Sequence, residues 1–221
     1  KNLKTIIMPY EAQPFQNFLY KKIKSLDKNI KTIGYVHSTE PFPSHLLYRD
    51  GAPEKLYVDG EDKKFHLTTI LNWPEKSIKI IPSIRYKKEE KKNFKNKIFL
   101  SYLISDIDLY LREIKNFLIT LDNKKIKPMN IINHPSTLKS SSHLKLMSHL
   151  SKLLKLYENN FSTISKESKI IVLGGSYVVL EMLERGYEVL QICDEPVFQS
   201  YSSTFWPNIL VNQVSKNVFN Y

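Results

Sequence analysis

The sequence is poor in cysteine, glycine and arginine, and each shortage excludes a class of protein. A single cysteine, Cys193, rules out an intrachain disulfide and fits a reducing compartment. Six glycines in 221 residues exclude a collagen-like or linker-like composition. No apolar run reaches the roughly 18–20 residues that span a bilayer, and no stretch resembles a signal peptide. We therefore expect a cytoplasmic globular protein.

Positive charge is abundant, but it comes almost entirely from lysine. The chain has 33 basic and 22 acidic residues, a net charge of +11, and only four of the basic residues are arginine. Lysines crowd residues 21–31 and 87–97, a pattern typical of solvated helix faces and a polar linker. Nucleic-acid readers more often use arginine, whose guanidinium group matches phosphate and guanine edges, so we expect no nucleic-acid partner.

Apolar, β-rich runs alternate with segments of helical periodicity. Strands are predicted at 4–8, 31–37, 55–58, 77–81, 97–103, 127–132, 169–173 and, as the last strand, 187–192. Helices are predicted at 11–26, 61–73, 106–121, 138–157 and 177–185. The alternation predicts an α/β fold of two Rossmann-like units, with mainly parallel sheets flanked by helices and a cleft between the units. The units are 1–85 and 97–221, joined by a basic linker at 86–96.

Two segments carry predictions about packing. The helix at 11–26 has apolar residues at helical spacing, namely Phe15, Phe18, Leu19, Ile23 and Leu26. The tail after residue 193 is rich in aromatic residues, and we expect it to fold back onto the core.

Polar residues follow several predicted strands, which is where parallel sheets bind ligands. Gly174, Gly175 and Ser176 join a predicted strand to a helix that begins at Tyr177. Glycines let a ligand approach the backbone, and a helix start presents free N–H groups, so this turn is a candidate phosphate site. The full dinucleotide-binding pattern is missing, and a plain tight turn with Ser176 as the helix cap is an equal alternative.

His134 and Pro135 end the preceding strand and lead through a Ser/Thr/Lys-rich loop into a helix. A histidine there can donate to a phosphate or act as an acid, although a lone histidine is more often structural. We expect the strands before His134 and Gly174 to be neighbours, so that both groups point at one site, which Lys139 and the serines after it extend.

Glu11 follows the first strand and is the best candidate for a general base. A carboxylate at a helix start also serves simply to complement the helix dipole. His37 ends the next strand and is expected to face Glu11. The six histidines are scattered and form no cluster with carboxylates, so we expect no metal site.

These motifs together resemble the GT-B glycosyltransferases of bacterial surface carbohydrate biosynthesis. The resemblance runs in order through Tyr10-Glu11-x-Gln13-Pro14-Phe15, Gly34-Tyr35-Val36-His37-Ser38 and Pro82-Ser83-Ile84-Arg85-Tyr86. His134-Pro135 and the Gly174-Gly175-Ser176 turn are similar to one branch, the bacterial sialyltransferases, polysialyltransferases and Kdo transferases, which use CMP-activated sugars. The family's acidic motif, two acidic residues followed by glycine, is replaced by Asp59-Gly60-Glu61-Asp62.

The resemblance implies an inverting sugar transfer that needs no metal and no other cofactor. It implies that Glu11 removes the acceptor proton and that His134 stabilises the leaving phosphate. The donor site is then formed, besides His134, by His37, Pro135, Lys139, Gly174, Gly175, Ser176 and Tyr177.

The implied partners are a nucleotide sugar, with a CMP-sugar favoured, and a carbohydrate or lipid-linked acceptor. Peripheral association with the inner membrane is an accompanying expectation. GT-B enzymes are longer than this chain, which starts at Lys1, so we expect the sequence to be a piece of a longer protein. Three other functions stay open: a noncatalytic nucleotide- or sugar-binding domain, a basic module for nucleic acid or anionic membranes, and another phosphosugar enzyme such as an epimerase.

Overall fold

The computed structural model describes residues 3–37, 41, 44–83, 96–120, 129–158 and 170–221. The chain forms two compact units. The first comprises Lys1–Glu89 and Ser203–Asn208, and the second comprises Glu90–Ser202 and Ile209–Tyr221. Most of the predicted linker at 86–96 lies outside the described residues.

The first unit contains a four-stranded parallel sheet in the order β1-β2-β3-β4. The spatial order of its strands is the order of the sequence. Its elements are β1 (Thr5–Pro9), α1 (Pro14–Leu26), β2 (Lys31–Tyr35), β3 (Lys55–Val58), α2 (Glu61–Thr69) and β4 (Ile78–Ile80).

Helix α1 differs from its prediction in both its start and its buried face. It begins at Pro14, not at residue 11, because Gln13 is extended and forms a capping box with Gln16. The buried residues are Gln16, Asn17, Tyr20 and Ile23, so the predicted apolar face is wrong at all its positions except Ile23. Polar side chains are buried here because they hydrogen-bond to the sheet.

The segment Ser203–Asn208 packs on the first unit, although it is distant from it in sequence. The Trp206 side chain is buried, and its indole N–H donates to the Pro41 carbonyl oxygen at 2.6 Å. The Phe205 ring stacks on His66 of α2, with 5.9 Å between centroids. Burial lowers the pKa of His66, which favours a neutral ring in this aromatic contact.

Gly34 of β2 creates the space that Tyr10 occupies directly before Glu11. A Cβ at this position would lie 2.8 Å from the Tyr10 Cβ atom and 3.0 Å from Leu56. We expect Gly34→Ala to lower the free energy of unfolding by about 1–3 kcal/mol, because the packed neighbours must shift. Urea unfolding measures the change. Gly60→Ala is the matched control, since a Cβ there meets no atom within 4 Å, and an equal loss in both variants would contradict the prediction.

The second unit contains a six-stranded mixed sheet in the order β6-β5-β7-β8-β10-β9. Strands β5 to β8 are parallel, and β10 and β9 continue the sheet as antiparallel strands. Its elements are β5 (Lys97–Leu100), α3 (Ile107–Thr120), β6 (Asn130–Ile132), α4 (Ser141–Glu158), β7 (Ile170–Leu173), α5 (Val178–Glu184), β8 (Val189–Ile192), α6 (Pro196–Gln199), β9 (Asn212–Ser215) and β10 (Val218–Asn220).

The prediction that 187–192 is the last strand is wrong, because the tail adds β10 and β9 to the edge beside β8. Tyr221 is tied into this edge: its hydroxyl donates to Gln191 Oε1 at 2.7 Å and accepts from the Tyr201 N–H at 2.9 Å. The protein is thus an α/β protein with one parallel and one mixed sheet, both flanked by helices. Within the described ranges, no helix has the length and apolar character needed to cross a membrane.

Candidate functional site

Glu11 lies in a tightly hydrogen-bonded loop between β1 and α1. The Gln16 Oε1 atom accepts hydrogen bonds from the backbone N–H groups of Glu11 and Gln13, both at 3.0 Å, and its Nε2 donates to the Pro9 carbonyl oxygen at 2.7 Å. Ala12 has a φ of 53°, in the left-handed region that costs most residues energy. The Gln16 hydrogen bonds offset this strain and hold Glu11 at the carboxyl edge of the sheet.

His37 follows β2, the neighbour of β1, and its ring lies beside Glu11. The His37 Nε2 atom is 3.7 Å from Glu11 Oε1, which is ion-pair range but too long for a direct hydrogen bond. The two side chains are 41% and 44% exposed, so a substrate can reach them. His37 Nδ1 is buried and accepts or donates no hydrogen bond within the described chain. Glu11 and His37, predicted at neighbouring strand ends, are thus together.

In the second unit, the sheet order creates a switch point at β5 and β7. The chain leaves β5 for β6 on one side and returns to β7 on the other. Such a point opens a crevice beyond the carboxyl ends of the strands, where α/β sheets bind ligands. The expectation that the strands before His134 and Gly174 are neighbours is wrong, because β5 lies between them. Ser101 and Tyr102, which follow β5, therefore join this edge.

Gly174 starts a turn that suits close approach by a ligand. Its φ is 81°, and an added Cβ would collide with the side chain of Ser101. Gln191 Nε2 donates to the Gly174 carbonyl oxygen at 2.9 Å and anchors the turn. The next two N–H groups, of Gly175 and Ser176, donate no hydrogen bond to any residue that the structure describes. The turn therefore presents two N–H groups, those of Gly175 and Ser176, that are available to a ligand.

The Ser176 hydroxyl combines a structural and a ligand-binding capacity. Its Oγ accepts a hydrogen bond from the Val178 N–H at 3.2 Å, as a helix cap does, and its own proton remains available to a ligand. Helix α5 has only seven residues, so we assign no anion-binding role to its N-terminus. The donors at this edge are the N–H groups and the hydroxyl of the turn. Gln199 packs over Gly175, with its Cγ 3.1 Å from the position of an added Cβ, which favours glycine there.

His134 follows β6, and its ring is held in one tautomer. The Ser136 N–H is 3.3 Å from His134 Nδ1, and the Ser136 Oγ is 2.7 Å from the same atom. Because a backbone N–H can only donate, Nδ1 is the acceptor, and the proton of the neutral ring is on Nε2. Tyr102 packs edge-on against the ring, with 5.6 Å between centroids. Nε2 makes no hydrogen bond within the described chain, so it presents an oriented donor.

A second histidine, His143 of α4, supports the same edge and was missed in the sequence. Its ring is buried, Nε2 donates to the Ser101 carbonyl oxygen at 2.9 Å, and Nδ1 accepts from the Ser140 hydroxyl at 3.0 Å. Ser142 Oγ lies 3.0 Å from Ser140 Oγ. These two serines, predicted to extend a ligand site, belong to a network that holds Ser101. The spacing Ser140 to His143 gives no sequence signal of this role.

The remaining predicted residues have different surroundings. Pro135 begins the 3₁₀ turn Pro135–Thr137, which places Ser136 against His134. Lys139 is exposed, and Tyr177 lies half-buried at the start of α5. Burial raises the pKa of Cys193 to about 12, so this thiol is no nucleophile. In the part of the chain that is described, no group of three or more His, Cys, Asp or Glu side chains could hold a metal ion.

The chain matches no protein-family model, no curated protein and no solved structure with which it was compared. Function therefore has to be argued from chemistry at the two sheet edges. The first unit offers a carboxylate beside a histidine, and the second offers a set of oriented hydrogen-bond donors.

Proposed function

We propose that the chain is a glycosyltransferase that moves a sugar from a nucleotide-activated donor to a hydroxyl of a carbohydrate or lipid-linked acceptor. The observation that carries the proposal is the tautomer of His134, which Ser136 fixes with the proton on an available Nε2. His134 follows β6 and the turn follows β7, so this donor and the N–H groups of Gly175 and Ser176 lie at the carboxyl edge of the same sheet, with the end of β5 between them. Oriented donors of this kind stabilise negative charge as it develops on a leaving phosphate.

The proposal includes the GT-B arrangement of two Rossmann-like units. Two α/β units, one with a parallel sheet and one with four parallel strands, support it at the level of architecture. The second unit has the donor role, because its switch point carries the phosphate donors. The first unit has the acceptor role, because Glu11 is a carboxylate held at an accessible edge.

The proposed reaction is a single displacement. The acceptor oxygen forms a bond to the anomeric carbon as the bond from that carbon to the donor phosphate breaks, and the electron pair leaves with the phosphate. The proton of the acceptor hydroxyl passes to the carboxylate of Glu11, which His37 adjoins. Attack opposite the leaving group inverts the configuration of the anomeric carbon. The His134 Nε2–H and the turn N–H groups bind the phosphate charge.

A CMP-sugar is the favoured donor within this proposal. CMP leaves with one phosphate, whose charge a few oriented hydrogen-bond donors can stabilise, whereas a diphosphate more often needs a metal or arginine residues. The proposal accordingly includes no metal and no other cofactor, and the localisation that goes with it is cytoplasmic.

The test is a panel of nucleotides against the complete chain. A ligand that binds only the folded state raises the melting temperature, so CMP, CDP, UDP and GDP are compared by thermal shift. CMP alone is expected to stabilise the protein, and a CMP-sugar is expected to release CMP when acceptor is added. Stabilisation by UDP or GDP alone would contradict the CMP assignment. The absence of any nucleotide effect would remove the donor role, and CMP binding without turnover would leave a noncatalytic binding domain.

A further inference from the structure

Helix α1 carries a second apolar stripe, separate from its buried face. Phe15, Phe18, Leu19, Lys22 and Leu26 occur at i, i+3, i+4, i+7 and i+11, and such positions lie along one side of a helix. Three of them are largely exposed: Phe15 at 65%, Phe18 at 71% and Leu26 at 72%. We refer to these five residues as the α1 outer stripe. Exposed aromatic residues in a row usually mark a surface that binds something.

The hydrogen bonds of the buried face prevent α1 from turning its outer stripe inward. The Tyr10 hydroxyl donates to Asn17 Oδ1 at 2.7 Å, and the Tyr20 hydroxyl donates to the Ile33 carbonyl oxygen at 2.8 Å. Rotation of the helix would break these hydrogen bonds and leave the buried polar groups unpaired, with a desolvation cost for each group. The exposure of the outer stripe is therefore a fixed property of the folded unit.

Positive charge accompanies the outer stripe. Helix α1 contains Lys21, Lys22 and Lys24 and no acidic residue. Lys21 pairs with Asp50 and Lys24 pairs with Glu54, both outside the stripe. Lys22 lies within the stripe and forms no ion pair with a described residue. An occupant of this surface must accept two aromatic rings and offer negative charge to the Lys22 ammonium group, which lies one turn beyond Phe18 along the helix.

We propose that the α1 outer stripe binds the surface of an anionic lipid bilayer, with α1 parallel to the membrane plane. Phe15, Phe18 and Leu26 enter the boundary between headgroups and acyl chains, and Lys22 contacts lipid phosphates. A second copy of the chain fits less well, because an isologous contact would bring Lys22 towards its own counterpart. The proposal is independent of glycosyl transfer, since it requires neither nucleotide nor sugar.

Cosedimentation with vesicles tests the surface. The complete chain is mixed with vesicles of phosphatidylglycerol and phosphatidylcholine, or of phosphatidylcholine alone, and only the anionic vesicles are expected to bind it strongly. The double variant Phe15→Ser/Phe18→Ser is expected to weaken partitioning by at least about tenfold, from the lost apolar area. Lys22→Gln is expected to weaken it about fivefold on anionic vesicles. The matched control is Leu156→Ser/Leu210→Ser, which changes equally exposed apolar residues elsewhere.

A fluorescent reporter tests membrane insertion directly, without relying on the weaker vesicle binding of the variants. Both natural tryptophans, Trp73 and Trp206, are buried, so a Phe18→Trp variant adds an exposed indole within the stripe. Its emission is expected to shift to the blue on anionic vesicles and to be quenched by brominated acyl chains, whereas a Leu156→Trp control is expected to change little.

Four results would overturn the membrane assignment. The wild-type chain could remain in the supernatant with anionic vesicles, or the double variant could bind as the wild type does with an unchanged melting curve. Light scattering could instead show a dimer that Phe15→Ser/Phe18→Ser dissociates, which would assign the surface to a second copy. If the double variant does not fold, an unshifted and unquenched Phe18→Trp emission is sufficient to reject the proposal.

Discussion

Glu11→Gln is expected to slow sugar transfer by about 10²–10⁴-fold and to leave the fold intact. The amide has the shape of the carboxylate, and the backbone N–H of residue 11 can still donate to Gln16. It cannot accept the proton of the acceptor hydroxyl, so the loss falls on turnover. Nucleotide binding should be unchanged, because the groups proposed to hold the phosphate, His134 and the Gly175 and Ser176 N–H groups, belong to the second unit. Initial rates of CMP release, measured beside thermal shift with CMP, separate the two effects.

The matched control for this variant is Glu61→Gln. Glu61 is an acidic residue that likewise lies between a strand and the body of the next helix, as the first residue of α2, but it belongs to no proposed site. Its replacement is expected to leave the transfer rate within about a factor of two of the wild type, as surface substitutions are usually close to neutral. Equal rates for Glu11→Gln and the wild type would exclude Glu11 as the base and leave it as an ordinary residue of the loop between β1 and α1.

His134→Ala is expected to weaken CMP binding by about 10–100-fold, since it removes a hydrogen bond to a charged phosphate. Transfer is expected to fall by about 10²–10³-fold, because the same donor also stabilises charge in the transition state. Ser136→Ala should have a smaller effect. It removes the hydroxyl beside Nδ1 but keeps the Ser136 N–H, which still fixes the tautomer. Isothermal titration and initial rates measure the two losses.

His149→Ala is the control for the histidine variant, because His149 lies in the same unit on α4 and belongs to no proposed site. Both proteins are expected to melt at nearly the wild-type temperature. If His134→Ala binds CMP and transfers sugar as His149→Ala does, His134 has no role in donor binding or transfer. A loss of transfer with unchanged CMP binding would confine His134 to the chemical step.

Strand positions could be predicted because strands that are buried on both faces consist of uninterrupted runs of apolar residues. All four residues of β7 are buried, and their sequence is Ile-Ile-Val-Leu. The prediction at 55–58 coincides with β3. Strand β9 could not be found in this way, because all four of its residues are exposed and its sequence has no apolar alternation. It forms a strand because its backbone pairs with β10 at the edge of the sheet.

The orientation of α1 could not be predicted, because hydrogen bonds of polar side chains decide which face is buried, and not the apolar residues. A helix is expected to bury its most apolar face, and here that rule selects Phe15, Phe18 and Leu26. The structure buries Gln16 and Asn17 instead. Their partners, the Pro9 carbonyl and the Tyr10 hydroxyl, come from the preceding strand end, and such a match of donors and acceptors is invisible to periodicity.

The candidate site could be predicted in the first unit, where strands that are consecutive in the sequence are also neighbours in the sheet. In the first sheet consecutive strands are neighbours, so the ends that carry Glu11 and His37 meet. In the second sheet β5 separates β6 from β7, and alternation of elements does not specify this order. The position of the strand end at Ser101 and Tyr102, between those at His134 and Gly174, was therefore not predicted. His143 was missed, because its role depends on a contact across 42 residues.

The return of Ser203–Asn208 to the first unit has a consequence for protein synthesis. A ribosome makes residues 90–202 before it makes Trp206, so the surface formed by His66 and Pro41 stays uncovered until then. Chaperones and proteases act on apolar surface of this kind. A chain that ends before Ser203 would expose that surface permanently. Covering of the surface therefore shows that translation has continued past residue 203.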